Sequence, residues 1–528
     1  MSADTKKMIM SNTIKAGFGL VVFGIMIFGF YFNSRDGVWN GTYWYAENWE
    51  LSLGRWAIRY LDKLFFGIHV HPYSSVITFI LFSVGTSFIM NSFNIPIGSY
   101  KDYFVSFAFL GNVVVCISLS YLYTSMIYGA AFCVVGVCFY VITNIAKNMN
   151  EACNKMKLPV LFVISFVLIS IILGLYQSYI GCLAELLLFN LVYIICKQPK
   201  SDRKVLRRYV FTCLISAIGG ALTYYIVLKI ELFRHNATMS SYKGADSFSV
   251  KNILLNIPSS IKSTYLIMFR YINNEKCNWN VLPRLVLWAL IAIIAGVFVI
   301  ITYSISHSAV RTAICVAFLC FTPMATNITT ILIPNNEPST QQTAPLALVI
   351  PGIVALCYAV IDNNEINCIR IKKTAVIALT AVLVCIIHGS VLQTLMDQDA
   401  MRQGTQSAKS ISQSVINRLI ADGENLEENT YAFVGWPADN ELVRINGIYE
   451  MSNGYARMAG PYPDGYMTLW TWRGILANVD GLTIKLCDDY TYLEILQDEE
   501  VRNMPNYPNE GCIMNHSSGV RVIKVSGW

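Results

Sequence analysis

FVSFAFLGNVVVCISLSYLYTSMIYGAAFCVVGVCFYVITNI, residues 104–145, runs for 42 positions without one Asp, Glu, Lys, Arg or His. A helix needs about 20 apolar residues to cross the hydrocarbon core of a bilayer, so this stretch holds two crossings, about 104–121 and 123–145. Working outward, further apolar runs occupy about 14–32, 73–90, 158–176, 179–196, 209–228, 284–304, 312–333, 345–361 and 374–394, which makes eleven expected spans. With 55% hydrophobic and 14% charged residues, the chain is too apolar for an ordinary soluble protein. The first run is too long for a signal peptide and lacks a small-residue cleavage site, so it reads as a retained helix.

Lys and Arg set the expected orientation. Lys6 and Lys7 precede the first span; Lys147, Lys155 and Lys157 follow the fourth; KQPKSDRKVLRR (197–208) follows the sixth; Arg370, Lys372 and Lys373 follow the tenth. All fall on one side if the N-terminus is cytoplasmic, and an odd number of spans then puts the C-terminus outside. Three large segments face outward in that topology: about 33–72, about 229–283, and everything after Leu395. The expected fold is mainly α: a polytopic membrane helix bundle over 1–394 and a small extracytoplasmic α/β domain over 395–528. In that tail an amphipathic helix spans about 399–420, TYAFVGW (430–436) and VRVIKVSG (520–527) read as strands, and YLEILQDEE (492–500) as a short helix. The middle segment NILLNIPSSIKSTYLIMFRYI (252–272) reads as one or two amphipathic helices at the membrane interface.

From Leu395 to the end there are 10 Lys+Arg and 18 Asp+Glu, a net −8, against +6 for the whole chain. The membrane part is therefore basic, which suits lipid headgroups and phosphates as well as a plain positive-inside bias. The acidic tail argues against nucleic acid. Most of the 15 cysteines lie in or near spans without metal-ligand spacing. Cys487 and Cys512 lie in the outside domain, where a disulfide between them would survive. No internal repeat, GxGxxG, Walker A or GxSxG pattern occurs, which weakens transporter, nucleotide and serine-hydrolase readings.

Chemistry concentrates in NSRDGVWNGTYWYAENWELSLGRWAIRYLDKLFFGIHVHP (33–72), where Arg35, Asp36, Glu47, Glu50, Arg55, Arg59, Asp62 and Lys63 crowd among aromatics. Asp36, just past the first span, is either a general base on a sugar hydroxyl or an interfacial acid paired with Arg35. Glu47 with Glu50, and Arg55 with Arg59, share faces of a helix lying along the surface. Its arginines either clamp a phosphate or neutralise the neighbouring acids. Glu185, inside a span, and His388, near the outer end of the last one, either line a cavity or make contacts between helices. His69 and His71 lack a third ligand, so no metal is expected. The tail's Trp436, Tyr462, Tyr466, Trp470 and Trp472 either stack on sugars or fill its core.

Taken in order, SRDGVW (34–39), LSLGRW (51–56), GLYQSY (174–179) and TYAFVGW in the tail make the chain resemble the Gtr-type serotype-converting glucosyltransferases of bacteria and their phages. The resemblance implies a GT-C-like multispanning glycosyltransferase of the bacterial cytoplasmic (inner) membrane. Such enzymes take a sugar, typically glucose, from undecaprenyl phosphate on the outer side and add it to a surface polysaccharide such as lipid-linked O-antigen. It implies Asp36 as general base, Arg55 on the donor phosphate with Arg59, Lys262 or Arg270 as helpers, and Glu47 or Glu50 on a sugar hydroxyl. Tyr176 and Gln177 would line the cavity. No cofactor is expected beyond the lipid-linked donor. Many relatives show an acidic pair where this chain has Asp36 alone. The rivals are an O-antigen polymerase or lipid-linked sugar flippase, a secondary transporter, and a glycan-binding receptor.

Overall fold

A computed structural model of the chain describes residues 3–31, 33, 41–148, 158–197, 203–242, 250–275, 277–333, 339–362, 369–443, 447–457 and 466–527. It is mainly helical with a small sheet near the C-terminus. Among the described residues nine helices are long and apolar enough to cross a membrane. They become ten if Tyr100–Leu110 and Val113–Ser120, which meet at 54°, form one broken span. The break has a local cause. The Asn112 side chain accepts the Val114 N–H at 3.1 Å and so caps a new helix.

Among the described residues these helices match the expected spans other than the run at 14–32. The run at 14–32 belongs to a helix, Ala3–Val22, followed by a short one, Gly24–Gly29. Lys15 is fully buried in the first of them. Its ammonium lies 2.6 Å from Asp102 and 2.8 Å from the Ser87 hydroxyl. Asp102 also accepts from Ser11 Oγ at 3.0 Å and the Gly98 N–H at 2.8 Å. A lone buried ammonium would be untenable, and this one is tolerated because its counter-charge and hydrogen bonds come with it.

The helix Ile369–Ala421 runs unbroken for 53 residues, about 80 Å at 1.5 Å per residue. The sequence suggested a span ending near 394 and a separate helix from 399. The chain makes no such stop, because nothing between those residues breaks a helix. Val250–Ile272 is likewise one helix, carrying Pro258 within it.

Beyond the long helix lies a three-stranded sheet of order β1-β3-β2, with β1 Tyr431–Val434, β2 Ile513–Asn515 and β3 Arg521–Lys524. β1 and β3 are parallel, pairing Tyr431 with Arg521, while β2 and β3 are antiparallel. The two expected strands are therefore neighbours, with β2 an addition. The expected short helix is two, Asp489–Gln497 and Glu499–Asn503, because Asp498 ends one and caps the next. Strand alternation sends Tyr431, Phe433 and Ile523 to one core and Ala432, Val434 and Val522 to another.

The division into two cores overturns the expected disulfide. Cys512 packs in the first core and Cys487 in the second, so the sheet stands between them. Both are buried free thiols. The tail's tryptophans divide as well: Trp472 fills the first core beside Phe433 at 4.8 Å, whereas Trp470 stays exposed. Tyr462 lies outside the described residues.

A buried carboxylate ties the tail to the bundle. Asp397, on the long helix, accepts from the Asn453 N–H and Nδ2 at 2.9 Å, Tyr455 OH at 2.7 Å and Gln393 Nε2 at 3.2 Å. Asn453 in turn exchanges two hydrogen bonds with the Asn278 backbone, at 2.7 and 2.9 Å.

Candidate active site

The segment 41–72 is folded as a hairpin-like rim. Tyr43 bridges Ile68, the Trp44 N–H donates to Gly67 O at 3.0 Å, and the His69 N–H donates to Thr42 O at 2.8 Å. Its middle is not the single surface helix that the spacing predicts. Two short helices, Asn48–Ser52 and Ile58–Leu64, flank a turn at LSLGRW. Gly54 makes the turn, with φ +80° and the Tyr224 hydroxyl where a Cβ would sit; an L side chain fits neither the angle nor the space. Arg55 consequently stands in the break and Arg59 in the second helix.

The turn docks onto the second tract, GLYQSY, which follows the helix Leu158–Leu175. The Ala57 N–H donates to Gly174 O at 2.9 Å, and Gln177 Nε2 donates to Leu53 O at 2.7 Å. The Trp56 indole lies over Gly174, where any Cβ would collide with it. The two tracts are separated by more than a hundred residues in sequence, yet they form one unit.

At their junction the Arg55 guanidinium carbon sits 4.5 Å from the Tyr176 ring centroid. Tyr128 meets Tyr176 edge-on at 5.0 Å. Tyr123, Tyr128 and Glu50 lie near enough to act on Arg55 electrostatically, but among the described residues it forms no ion pair, and its Nε has no hydrogen-bond acceptor. Arg55 is only half-exposed. Leaving a largely desolvated cation unpaired costs several kcal/mol, and a cation–π contact returns about 2 kcal/mol. The balance favours an anion at this position, and a guanidinium's fork suits a phosphate.

The acids around it have separate duties. Glu50 is buried, with one carboxylate oxygen accepting the Glu47 N–H at 2.8 Å and the other the Tyr123 hydroxyl at 3.2 Å. Glu47 is exposed. Asp62, buried, accepts the Ala46 N–H at 2.8 Å. Burial pushes its carboxyl up to about 7, with the Glu50 charge adding to the rise. Burial also holds His69 below its ordinary value, so the 3.9 Å approach of His69 to Asp62 is not a full ion pair at neutral pH. His69 and His71 belong to no metal-binding cluster among the described residues.

Tyr176, Gln177, Glu50 and Arg55 are thus brought together. Arg59 is close in chain, its Nη1 buried with no hydrogen-bond partner among the described residues. Lys262 is exposed and Arg270 half-buried. Their helix packs against Thr322–Thr326 and Ile328–Leu332. Glu185 is buried in its span, one oxygen accepting from Thr326 Oγ1 at 3.0 Å, and His388 is exposed. Asp36, with Arg35, lies outside the described residues. Sequence reading passed over Tyr123 and Tyr128. Their signal was present: YLYTSMIY interrupts a chargeless apolar run with three tyrosines.

The family model of the glucosyl transferase GtrII matches residues 42–357, more than half of the chain, and the chain belongs to that family. It is therefore a glycosyltransferase, using a sugar donor and a glycan acceptor. The match takes in the whole Arg55 junction and stops before the long helix and the tail. No curated protein and no solved structure is significantly similar to the chain.

Proposed function

We propose that this protein transfers a sugar, glucose by family, from an undecaprenyl-phosphate carrier to a surface polysaccharide such as O-antigen. The transfer takes place at the outer face of the bacterial cytoplasmic membrane, with the N-terminus inside and the tail outside. One observation carries the reading: LSLGRW and GLYQSY join around Arg55, a half-exposed guanidinium without an anionic partner among the described residues, at the end of apolar helices. A lipid phosphate supplies that anion, and its prenyl chain stays among the apolar helices.

In this reading Asp36 takes the proton from the acceptor hydroxyl. The resulting oxygen bonds to the anomeric carbon, whose bond to the phosphate oxygen breaks. The electron pair leaves with the lipid phosphate, and Arg55 stabilises the charge that grows there. Tyr176 holds Arg55 in place and Gln177 fixes the turn. Glu50 has both oxygens engaged, so Glu47 is the better candidate for a sugar hydroxyl. Arg59, Lys262 and Arg270 act at most on the approaching headgroup. No cofactor is invoked.

The test supplies purified protein with polyprenyl-phosphate glucose and a lipid-linked glycan. Product is expected with wild type and lost in Asp36→Asn. Failure with every polyprenyl-phosphate sugar tried would sink the reading.

A further inference from the structure

A cavity of about 490 Å³ opens between the bundle's rim and the tail, within the size range of small-molecule sites. One wall is Thr42, His71 and Leu122; the other is Thr405 on the long helix with Asn478 and Val479 of the tail. Tyr31 and Gly41, on either side of the segment that carries Asp36, also line it. Leu122 connects it to the Arg55 junction, because the next residue, Tyr123, donates to Glu50.

The lining carries buried polar atoms without partners. His71 is 2% exposed. Its Nδ1 meets Ser75 Oγ at 2.6 Å, while its Nε2 has no hydrogen-bond partner among the described residues. Ser75 has no other acceptor among those residues, so its hydroxyl donates to Nδ1 and the ring proton resides on Nε2. Burial depresses this imidazole to about 4, which keeps it neutral. Thr405 Oγ1 is also buried, with no hydrogen-bond partner among the described residues. A buried polar atom left unpaired costs roughly 1–3 kcal/mol, and two on facing walls point to a ligand with hydroxyls. Among the described residues no carboxylate lines the space, and the one charge among them, Lys409, is exposed.

We propose that this cavity binds neutral sugar rings of the acceptor glycan, with Nε2–H of His71 donating to a hydroxyl and Asn478 on the tail selecting which glycan fits. The word acceptor rests on the transfer proposed above; sugar binding itself does not. The tail wall lies outside the residues that the family model matches, so acceptor choice resides in a part of the chain separate from the donor junction.

The experiment measures binding by saturation-transfer NMR on the full-length protein in nanodiscs. The probes are glucose, rhamnose, N-acetylglucosamine and maltotetraose. At least one should bind wild type, and bind at least tenfold more weakly to both His71→Phe and Asn478→Trp. Asn478 is exposed, so filling the cavity from that side leaves folding intact even if His71→Phe is unstable. In transfer assays Asn478→Trp should raise the acceptor KM about tenfold without moving the donor KM. No binding of any probe, or equal binding by Asn478→Trp, overturns the proposal. Sugar binding that the variants abolish, with no transfer from any donor, would sink the transferase reading and leave this one standing.

Discussion

Lys15 is fully buried and Arg55 partly so, and the surroundings of these two cations differ in one respect. Lys15 has a carboxylate at 2.6 Å and a hydroxyl at 2.8 Å, and Asp102 fills its remaining valences with Ser11 and Gly98. Arg55 has an aromatic face, a carboxylate beyond ion-pair range and an Nε without acceptor. The first set is closed and serves the fold. The second is open on the side where a ligand would complete it. A buried charge by itself says little, whereas an incomplete one asks for a partner.

The strongest way to break this contrast is to strand the closed pair. Lys15→Met leaves Asp102 buried without its counter-charge and should cost about 3–5 kcal/mol in thermal unfolding. Lys15→Met with Asp102→Leu should recover most of that loss, and a single variant as stable as wild type would contradict the closed reading. At the open site the expectation reverses. Arg55→Ala should not lower the unfolding temperature, and should cut transfer at low donor concentration about 100-fold, or about 2.7 kcal/mol. Arg55→Lys should restore only part, since an ammonium lacks the fork.

Asp62 sharpens the comparison through pH. Its folded value, about 7, lies above the ordinary 3.8. Between those values the folded protein keeps a proton that the unfolded chain has released, so stability falls as pH rises through that window. Asp62→Asn should flatten the decline, gaining roughly 2 kcal/mol at pH 8 and little at pH 4; an unchanged pH profile would count against it. The smallest effect belongs to Tyr123→Phe. Losing the 3.2 Å bond to Glu50 should cost about 1 kcal/mol and lower transfer modestly in the same assay.

Apolar length made the bundle legible, because a bilayer imposes one dominant rule on sequence. Lys15 escaped that rule, since its partner lies 87 residues away and no periodicity announces it. LSLGRW and GLYQSY could each be singled out, but their contact depends on tertiary packing at Gly54 and Gly174 that local pattern does not encode. The expected disulfide failed on packing. Two cysteines in one small domain looked close, but they pack in different cores of the tail. Arg55 was readable as a residue type in a charged loop, whereas its lack of a partner could be read only once the neighbouring side chains were in place.

The 53-residue helix Ile369–Ala421 makes a torsion shaft of the tail's support. One end lies among the spans, and the other carries Thr405 at the cavity wall. An α-helix turns about 100° and rises about 1.5 Å with every residue. A single residue inserted between Asp397 and Thr405 would therefore turn Thr405 about 100° relative to Asp397, so Thr405 could no longer face His71 while Asp397 kept its bonds to Asn453. The spacing along that shaft acts as an alignment key: it sets which face of the tail meets the bundle's rim.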